Sequence, residues 1–252
     1  MKHIVPLYLA TCLAAFAGTG PAVQETITIP TAESSEWRVR TALYGWAQSL
    51  EGDVTVRGIT APVDLKFKDI AEDLDMAAMG LIEVNHGRWG VLLDVNYADI
   101  SDSVSGSSRR APSIDFNQKQ WLINGYLTYN VLKNESTVFD VLGGARFNAI
   151  EVDLGINDRD FSRDTCWVDP VVGFRFQQTL TSQFFFRAVG DIGGFDISSD
   201  LTWQGMVGFG WKFTENCNAL LGYRAIDTDY SHKGFGYDIC AHGPVIGVEI
   251  SF

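Results

Sequence analysis

Thirteen charged side chains occupy alternate positions within stretches that are otherwise rich in apolar residues. Seven are basic and six are acidic: Arg38, Arg40, Glu83, Asp94, Asp140, Arg146, Asp169, Arg175, Arg187, Asp191, Lys212, Arg224 and Glu249. Residues two apart in an extended strand share one face of the sheet. If these faces enclose an interior, the opposite charges should pair there, because an unpaired buried charge is costly. The sequence therefore predicts an internal ion-pair network.

Alternation defines the strands that would position these charges. The clearest example is Leu201–Phe213, in which large apolar residues alternate with Thr, Gln, Met, Gly and Lys. The same period of two predicts about ten strands, although eight or twelve also fit the pattern. Besides a first strand from Trp37, they are Met76–Val84, Trp89–Ile100, Asp115–Val131, Val138–Val152, 168–177, Phe184–Phe195, Leu201–Phe213, Ala219–Tyr230 and Gly243–Phe252.

Short turns alternate with longer polar connections between these strands. The predicted loops are 101–112, Gly155–Thr165 and about 227–236, and Leu50–Asp75 is a long excursion that could hold a small hairpin and a helical turn. This asymmetry, with an even number of strands, is typical of bacterial transmembrane barrels. In lipid, a β-sheet must close into a barrel, because every backbone N–H and C=O group must be hydrogen-bonded within the protein. We therefore predict an all-β, antiparallel, up-and-down transmembrane β-barrel.

Composition agrees with this prediction. Hydrophobic residues make up 46% of the 252 residues, but no stretch after the first residues is apolar for long enough to form a spanning helix. The formal net charge of −12 disfavours nucleic-acid binding, which needs a basic face. Residues 1–22, with a basic start and an apolar run, predict a signal peptide. Residues 23–35 predict a flexible lead, and 36–252 a single barrel domain.

The last strand carries a second pattern. Ile246, Val248, Ile250 and Phe252 form one apolar row that ends on an aromatic residue. This row resembles the closing strand of Gram-negative outer-membrane barrels, which the barrel-assembly machinery reads. Further segments resemble uncharacterised members of the OmpA-like and opacity-protein barrel superfamily: Gly87-Arg88-Trp89-Gly90 leading into Leu92-Leu93-Asp94-Val95, Asp200-Leu201-Thr202-Trp203-Gln204, Leu221-Gly222-Tyr223-Arg224 and Gly243–Phe252.

The resemblance covers the chain from about Trp37 to the end and implies location in the outer membrane. The partners it implies are the lipid bilayer, lipopolysaccharide and the assembly machinery, with no nucleic acid and no cofactor. It says little about activity, because one fold hosts many functions. Three functions stay open: a structural or surface-interaction barrel, a narrow porin-like solute channel, and an outer-membrane lipid-modifying enzyme.

The first of these functions is favoured. A barrel of this strand number is narrow enough for interior side chains to fill it, so the charged rows should form a plug and not a selectivity lining. An acyl hydrolase would need a Ser beside His242 on the lipid side, and no Ser is evident. The acidic group Asp227, Asp229, His232 and Asp238 has no recognised metal-ligand spacing. Cys166 and Cys240 are the only cysteines that could meet, and whether they form a disulfide is left open.

Overall fold

The computed structural model describes residues 36–56, 58–72, 74–104, 114–156 and 159–252; the predicted signal peptide and lead lie outside these ranges. The elements in chain order are β1 (Trp37–Trp46), β2 (Ser49–Val56), β3 (Ile59–Leu65), α1 (Phe67–Glu72), β4 (Leu74–His86), β5 (Trp89–Val104), β6 (Ile114–Lys133), β7 (Thr137–Ile156), β8 (Arg159–Thr179), β9 (Phe184–Gly194), β10 (Leu201–Lys212), β11 (Cys217–His232) and β12 (Phe235–Ser251).

Ten of these strands close into a barrel. From β4 to β12 each strand pairs antiparallel with the next, and β1 pairs with both β4 and β12. Strands β2 and β3 form a hairpin that lies beside the first half of β12 and extends the wall. The predicted antiparallel barrel of about ten strands is confirmed.

The register fixes the tilt of the strands. Following paired residues once around the wall from Arg40 leads to Gly52, which lies 12 residues further along the continuation of the same strand. For ten strands about 4.8 Å apart, this stagger corresponds to a tilt of about 40° from the barrel axis. Such a tilt is usual for transmembrane barrels.

Aromatic residues border an apolar belt on the outside. We call the end that carries the connections 87–88, 134–136, 180–183 and 213–216 the turn end. Trp89 and Tyr129 pair near this end, with ring centroids 4.8 Å apart. Tyr97 and Trp121 pair at 4.6 Å towards the opposite loop end, where Trp203 also faces outwards. With this tilt, the eight steps along the chain from Trp89 to Tyr97 span about 20 Å. The distance approaches the height of the apolar band of a membrane barrel.

Two predicted loops are wrong. Residues 155–156 belong to β7 and residues 159–165 belong to β8, and the two strands stay paired as far as Ile156 and Arg159. Residues 227–236 belong mostly to β11 and β12, joined by a two-residue turn in which Lys233 and Gly234 have φ values of 46° and 80°. The error has a physical cause: these strands continue beyond the lipid, where their polar residues have the composition of a loop.

The Leu50–Asp75 excursion contains the predicted hairpin and helical turns. Strands β2 and β3 pair from Val56↔Ile59 to Leu50↔Leu65, and α1 follows. Ile70 on α1 is buried in the interior at the loop end. Within the described part of the chain, no helix has the length and apolar character needed to cross a membrane.

Candidate functional site: the barrel interior

Six charged residues form the turn-end cluster: Arg40, Glu83, Asp140, Arg175, Arg187 and Glu249. Glu83 accepts hydrogen bonds from Arg175 at 2.7 and 2.8 Å and from Arg40 at 2.5 and 3.0 Å. Arg40 also reaches Glu249 at 2.6 Å, and Arg175 reaches Asp140 through Nε at 2.8 Å. Residues from β1, β4, β7, β8, β9 and β12 are thereby linked across the axis.

An aromatic side chain lies below this cluster, towards the turn end. Phe185 points inwards from β9 and is only 1% exposed. The Arg187 guanidinium lies 5.1 Å from its ring centroid, and the Lys212 ammonium lies 5.9 Å away. Gly210 leaves room for the ring, because a Cβ there would lie 1.9 Å from Phe185 Cζ.

The central cluster lies further towards the loop end. Its charged members are Asp94, Arg146, Asp191 and Arg224, and polar side chains join them: Tyr44, Asn96, Asn124, Tyr126, Thr202 and Gln204. Arg146 donates to Asp191 at 2.6 Å, and Arg224 donates to Asp94 at 2.8 Å. Gln204 connects the two pairs, because it donates to Asp191 and accepts from Arg224.

The two clusters are balanced in charge. Together they contain five arginines and five carboxylates, and Arg146 and Asp191 have fully buried side chains. Charge-assisted and bidentate pairs of this kind are strong when desolvated. Each cluster is therefore a hydrogen-bonded layer across the interior in which the opposite charges are matched.

Apolar side chains separate the two clusters. A cavity of about 100 Å³ between the clusters is lined by charged members of both and by apolar side chains that include Leu81, Leu92, Leu142, Val189 and Met206. A second cavity of about 30 Å³ lies between the central cluster and the loop end, beside Trp46, Leu122 and Ile226.

The loop-end cluster is apolar and aromatic. Its buried members are Leu50, Val54, Val56, Ile70, Ile150, Trp167, Tyr230, Phe235, Tyr237 and Ile239. Trp167 stacks on Tyr230 with centroids 4.0 Å apart and planes 6° apart. The interior thus consists of two polar layers near the turn end and an apolar layer at the loop end.

Three of the thirteen predicted network residues lie outside these ion pairs. Arg38 is exposed at the turn end, and Lys212 lies beside Phe185. Asp169 is fully buried, but it accepts hydrogen bonds from Trp167 Nε1 and from the Ser199 amide and hydroxyl. Among the residues that the structure describes, none of the three takes part in an ion pair.

The thirteen predicted network residues are all charged, so the polar partners of the central cluster are not among them. Tyr44, Asn124, Tyr126 and Gln204 share the same alternating rows as the predicted charges, so the signal was present. Alternation shows which side chains point inwards, but it does not show which of them meet across a closed wall.

Solved structures with the same topology include the outer-membrane protease OmpT of Escherichia coli. This chain is 10% identical to it, and the match covers 88% of this chain and 99% of OmpT with a TM-score of 0.55. The two proteins have the same closed barrel. This chain has the fold of an outer-membrane β-barrel. At 10% identity the likeness concerns the fold alone.

Two other matches have lower scores. The translocator domain of the autotransporter NalP of Neisseria meningitidis is 13% identical, covering 89% of this chain and 90% of that chain, with a TM-score of 0.41. The Ail protein of Yersinia pestis is 12% identical, covering 86% and 98%, with a TM-score of 0.36. No family model and no curated protein matches the sequence.

On the outer face of the barrel, the His242 side chain lies between two polar side chains. Its Nδ1 is 2.6 Å from the Tyr223 hydroxyl oxygen, and its Nε2 is 3.4 Å from Glu51 Oε1. Ser49 is its cross-strand partner, but the Ser49 hydroxyl accepts a hydrogen bond from the Phe67 amide. Across the described ranges, no Ser–His hydrogen bond forms beside His242.

The outward face near the loop end is acidic. Asp229 pairs across the sheet with Asp238, which pairs with Asp53. Burial, and then the neighbouring Asp238 and Asp200, raise the pKa of Asp229 above its ordinary value. No group of three or more ligating side chains in the described part of the chain is arranged to hold a metal ion. Cys166, Cys217 and Cys240 are all free thiols.

The predicted assembly row lies on the outside of β12. Ile246, Val248, Ile250 and Phe252 are between 38% and 72% exposed and face the lipid. The backbone of Phe252 exchanges two hydrogen bonds with Val39, at 2.8 and 3.1 Å. The apolar row therefore runs along the seam at which the two ends of the barrel join.

Proposed function

We propose that this outer-membrane barrel has a structural or surface-interaction role and does not conduct solutes. The observation that supports the proposal is the filled lumen: the turn-end, central and loop-end clusters lie one above another. The cavity of about 100 Å³ between the first two has room for roughly three waters. A continuous path would require breaking matched ion pairs, and an unpaired buried charge is costly.

Conductance across planar bilayers tests this proposal. We expect purified protein to give no steady current above that of the bare bilayer, whereas a porin in the same apparatus conducts. Arg175→Ala, in the turn-end cluster, should lower stability without opening a pore. Its matched control is Arg38→Ala, at an exposed position on the turn-end rim. Large steady currents whose ion selectivity changes in Arg175→Ala would show that the charges line a working channel.

A narrow gated channel is the second candidate. The two cavities above and below the central cluster favour it, because they leave this layer as the main barrier between them. Brief, voltage-dependent openings that become frequent in Arg224→Ala would support gating. Their absence over the whole voltage range would favour the non-conducting barrel.

We also propose that the protein is not a lipid-modifying enzyme. The position of the Ser49 hydroxyl, which bonds the Phe67 amide and not His242, supports this. Mass spectrometry of outer-membrane lipids with and without the protein tests it. Shortened or deacylated lipids that disappear in His242→Ala would overturn it.

We propose further that the outward row of β12 is the signal for the barrel-assembly machinery. Phe252→Asp keeps the backbone bonds to Val39 but puts a charge into the exposed row, so we expect a several-fold loss of heat-modifiable barrel in outer-membrane fractions. Phe213→Asp is the matched control, because Phe213 is also an exposed aromatic residue at the turn end. Equal yields from both variants would contradict a special role for the last residue.

A further inference from the structure

The β9–β10 connection, Phe195–Asp200, has an unusual backbone. Gly194, Phe195 and Asp196 have φ values of 88°, 53° and 59°. Phenylalanine and aspartate rarely adopt this left-handed conformation, because their Cβ atoms clash with the backbone. Such geometry persists only where the surrounding structure holds it, and it concentrates at functional positions.

Asp169 holds this loop. Its carboxylate is fully buried and accepts hydrogen bonds from the Ser199 amide at 2.8 Å and from the Ser199 hydroxyl at 2.7 Å. The Ser198 hydroxyl donates to the Val168 carbonyl at 2.8 Å, and the Ile197 amide donates to the Gly194 carbonyl at 3.0 Å. The loop is thereby tied to the edge of β8, beyond the point at which β9 ends.

This fixed loop presents apolar side chains outwards. Ile197 is 69% exposed and Phe195 is 48% exposed. Val168 on β8 and Leu201 on β10 flank the loop, and they are 49% and 41% exposed. Exposing these four side chains to water would forfeit hydrophobic stabilisation, so an apolar environment should cover them.

The height of the loop indicates what covers it. Leu201 lies two residues past Trp203, at the upper border of the apolar belt. On β5 and β6 the positions two residues past Tyr97 and Trp121 are charged, Asp99 and Lys119. The barrel wall also extends less far towards the loop end in this sector, because β9 and β10 have 11 and 12 residues whereas β7 and β8 have 20 and 21. The apolar belt therefore extends upwards in this sector to the level of the lipid headgroups, where it borders Asp227 and Asp229 of β11, the partners of Trp203 and Leu201, and the exposed Asp196 and Asp200 of the loop.

We propose that Val168, Phe195, Ile197 and Leu201 form a lipid-contact patch that inserts into the outer leaflet, with acyl chains as the occupant. The patch is continuous with the belt below, where Ile192 and Trp203 already face the lipid. Asp169 is the positioning residue, because its hydrogen bonds maintain the loop conformation that turns the apolar side chains outwards. Apolar and aromatic side chains at this depth are known anchors of membrane proteins.

Site-specific fluorescence in vesicles tests the patch. Ile197→Cys, in a background with Cys166, Cys217 and Cys240 changed to Ser, is labelled with an environment-sensitive nitrobenzoxadiazole dye. We expect blue-shifted emission, and quenching by lipids with a nitroxide high on the acyl chain at least twofold stronger than for Ser231→Cys. Ser231 is the aqueous control because it is exposed at the β11–β12 tip; Leu221→Cys is the control within the belt.

Two outcomes would overturn the proposal. Water-like emission at position 197, quenched by aqueous iodide but not by the nitroxide lipid, would place the loop in solvent. Protection from both quenchers would show that another protein chain covers it.

The role of Asp169 is tested with the same label. Asp169→Asn and Ser199→Ala should each reduce quenching by the nitroxide lipid about twofold while the heat-modifiable barrel remains. Ser199→Ala removes one hydrogen bond and keeps the buried carboxylate, so it tests the loop even if Asp169→Asn assembles poorly. Unchanged quenching in Ser199→Ala would overturn the positioning role.

Discussion

The membrane-embedded part and the loop-end part of this barrel are built with opposite polarity, and single strands pass through both. On β12, the inward row near the turn end contains Glu249, and the outward row contains Ile246 and Val248. Further along the same strand, the inward row contains Phe235, Tyr237 and Ile239, and the outward row contains Asp238.

The continuous wall of β1 and β2 shows the same reversal. In β1, Arg40 and Tyr44 point inwards while Leu43 is 77% exposed. In β2, Leu50 and Val54 are buried while Glu51 faces outwards. The medium outside the barrel wall, lipid or water, determines which face of each strand is apolar. Lipid requires an apolar exterior and leaves the interior for polar groups, whereas water allows the ordinary arrangement with an apolar core.

Arg146→Ala should have the largest effect, because it removes a fully buried partner from Asp191. We expect a loss of about 3–5 kcal/mol in the free energy of unfolding, since the remaining carboxylate is uncompensated. Urea titration of the protein folded in micelles measures this loss. Arg38→Ala, at an exposed position, should stay within about 0.5 kcal/mol. Equal effects of the two substitutions would contradict the view that matched pairs stabilise the membrane-embedded part.

Phe235→Ala should have a smaller and more local effect. Phe235 is 3% exposed in the loop-end cluster, and truncating a buried Phe costs about 3 kcal/mol. We expect faster amide exchange in β2, β3 and the outer ends of β11 and β12, with unchanged exchange in the membrane-embedded strands. Phe235→Leu is the control that keeps most of the packing. If exchange rises equally throughout the barrel, the two parts form one cooperative unit.

Asp238→Asn should have the smallest effect and the opposite sign. Asp229 and Asp238 oppose each other on the outer face, so removing one charge should stabilise the protein by about 0.5 kcal/mol at pH 7. A carboxyl with a raised pKa binds protons more tightly in the folded state, so stability rises as pH falls through that pKa. The extra stability of Asp238→Asn over the unchanged protein should therefore shrink as the pH falls and Asp229 is protonated. A pH series of thermal unfolding measures it, and a constant advantage at all pH values would contradict repulsion.

Alternation in the sequence determined the architecture. Trp203, Val207 and Phe209 alternate with small or polar residues, and this period of two indicates β-strands. In lipid, strands must hydrogen-bond all of their backbone groups with one another, and a closed barrel is the structure that does so. The inward direction of Arg146 and Asp191 follows from the same period. Strand ends could not be predicted, because the period continues past the lipid while the polarity of each face reverses.

Only the tertiary structure decided which inward residues meet. Arg175 donates a hydrogen bond to Glu83, which lies 92 positions away in the sequence. The two side chains meet because closure of the barrel with a stagger of 12 residues brings them to the same height along the barrel axis. Asp169 faces inwards next to Arg146 on the paired strand, yet it bonds Ser199 and holds a loop. Contacts between distant strands depend on shear and closure, which are properties of the whole wall and not of any local pattern.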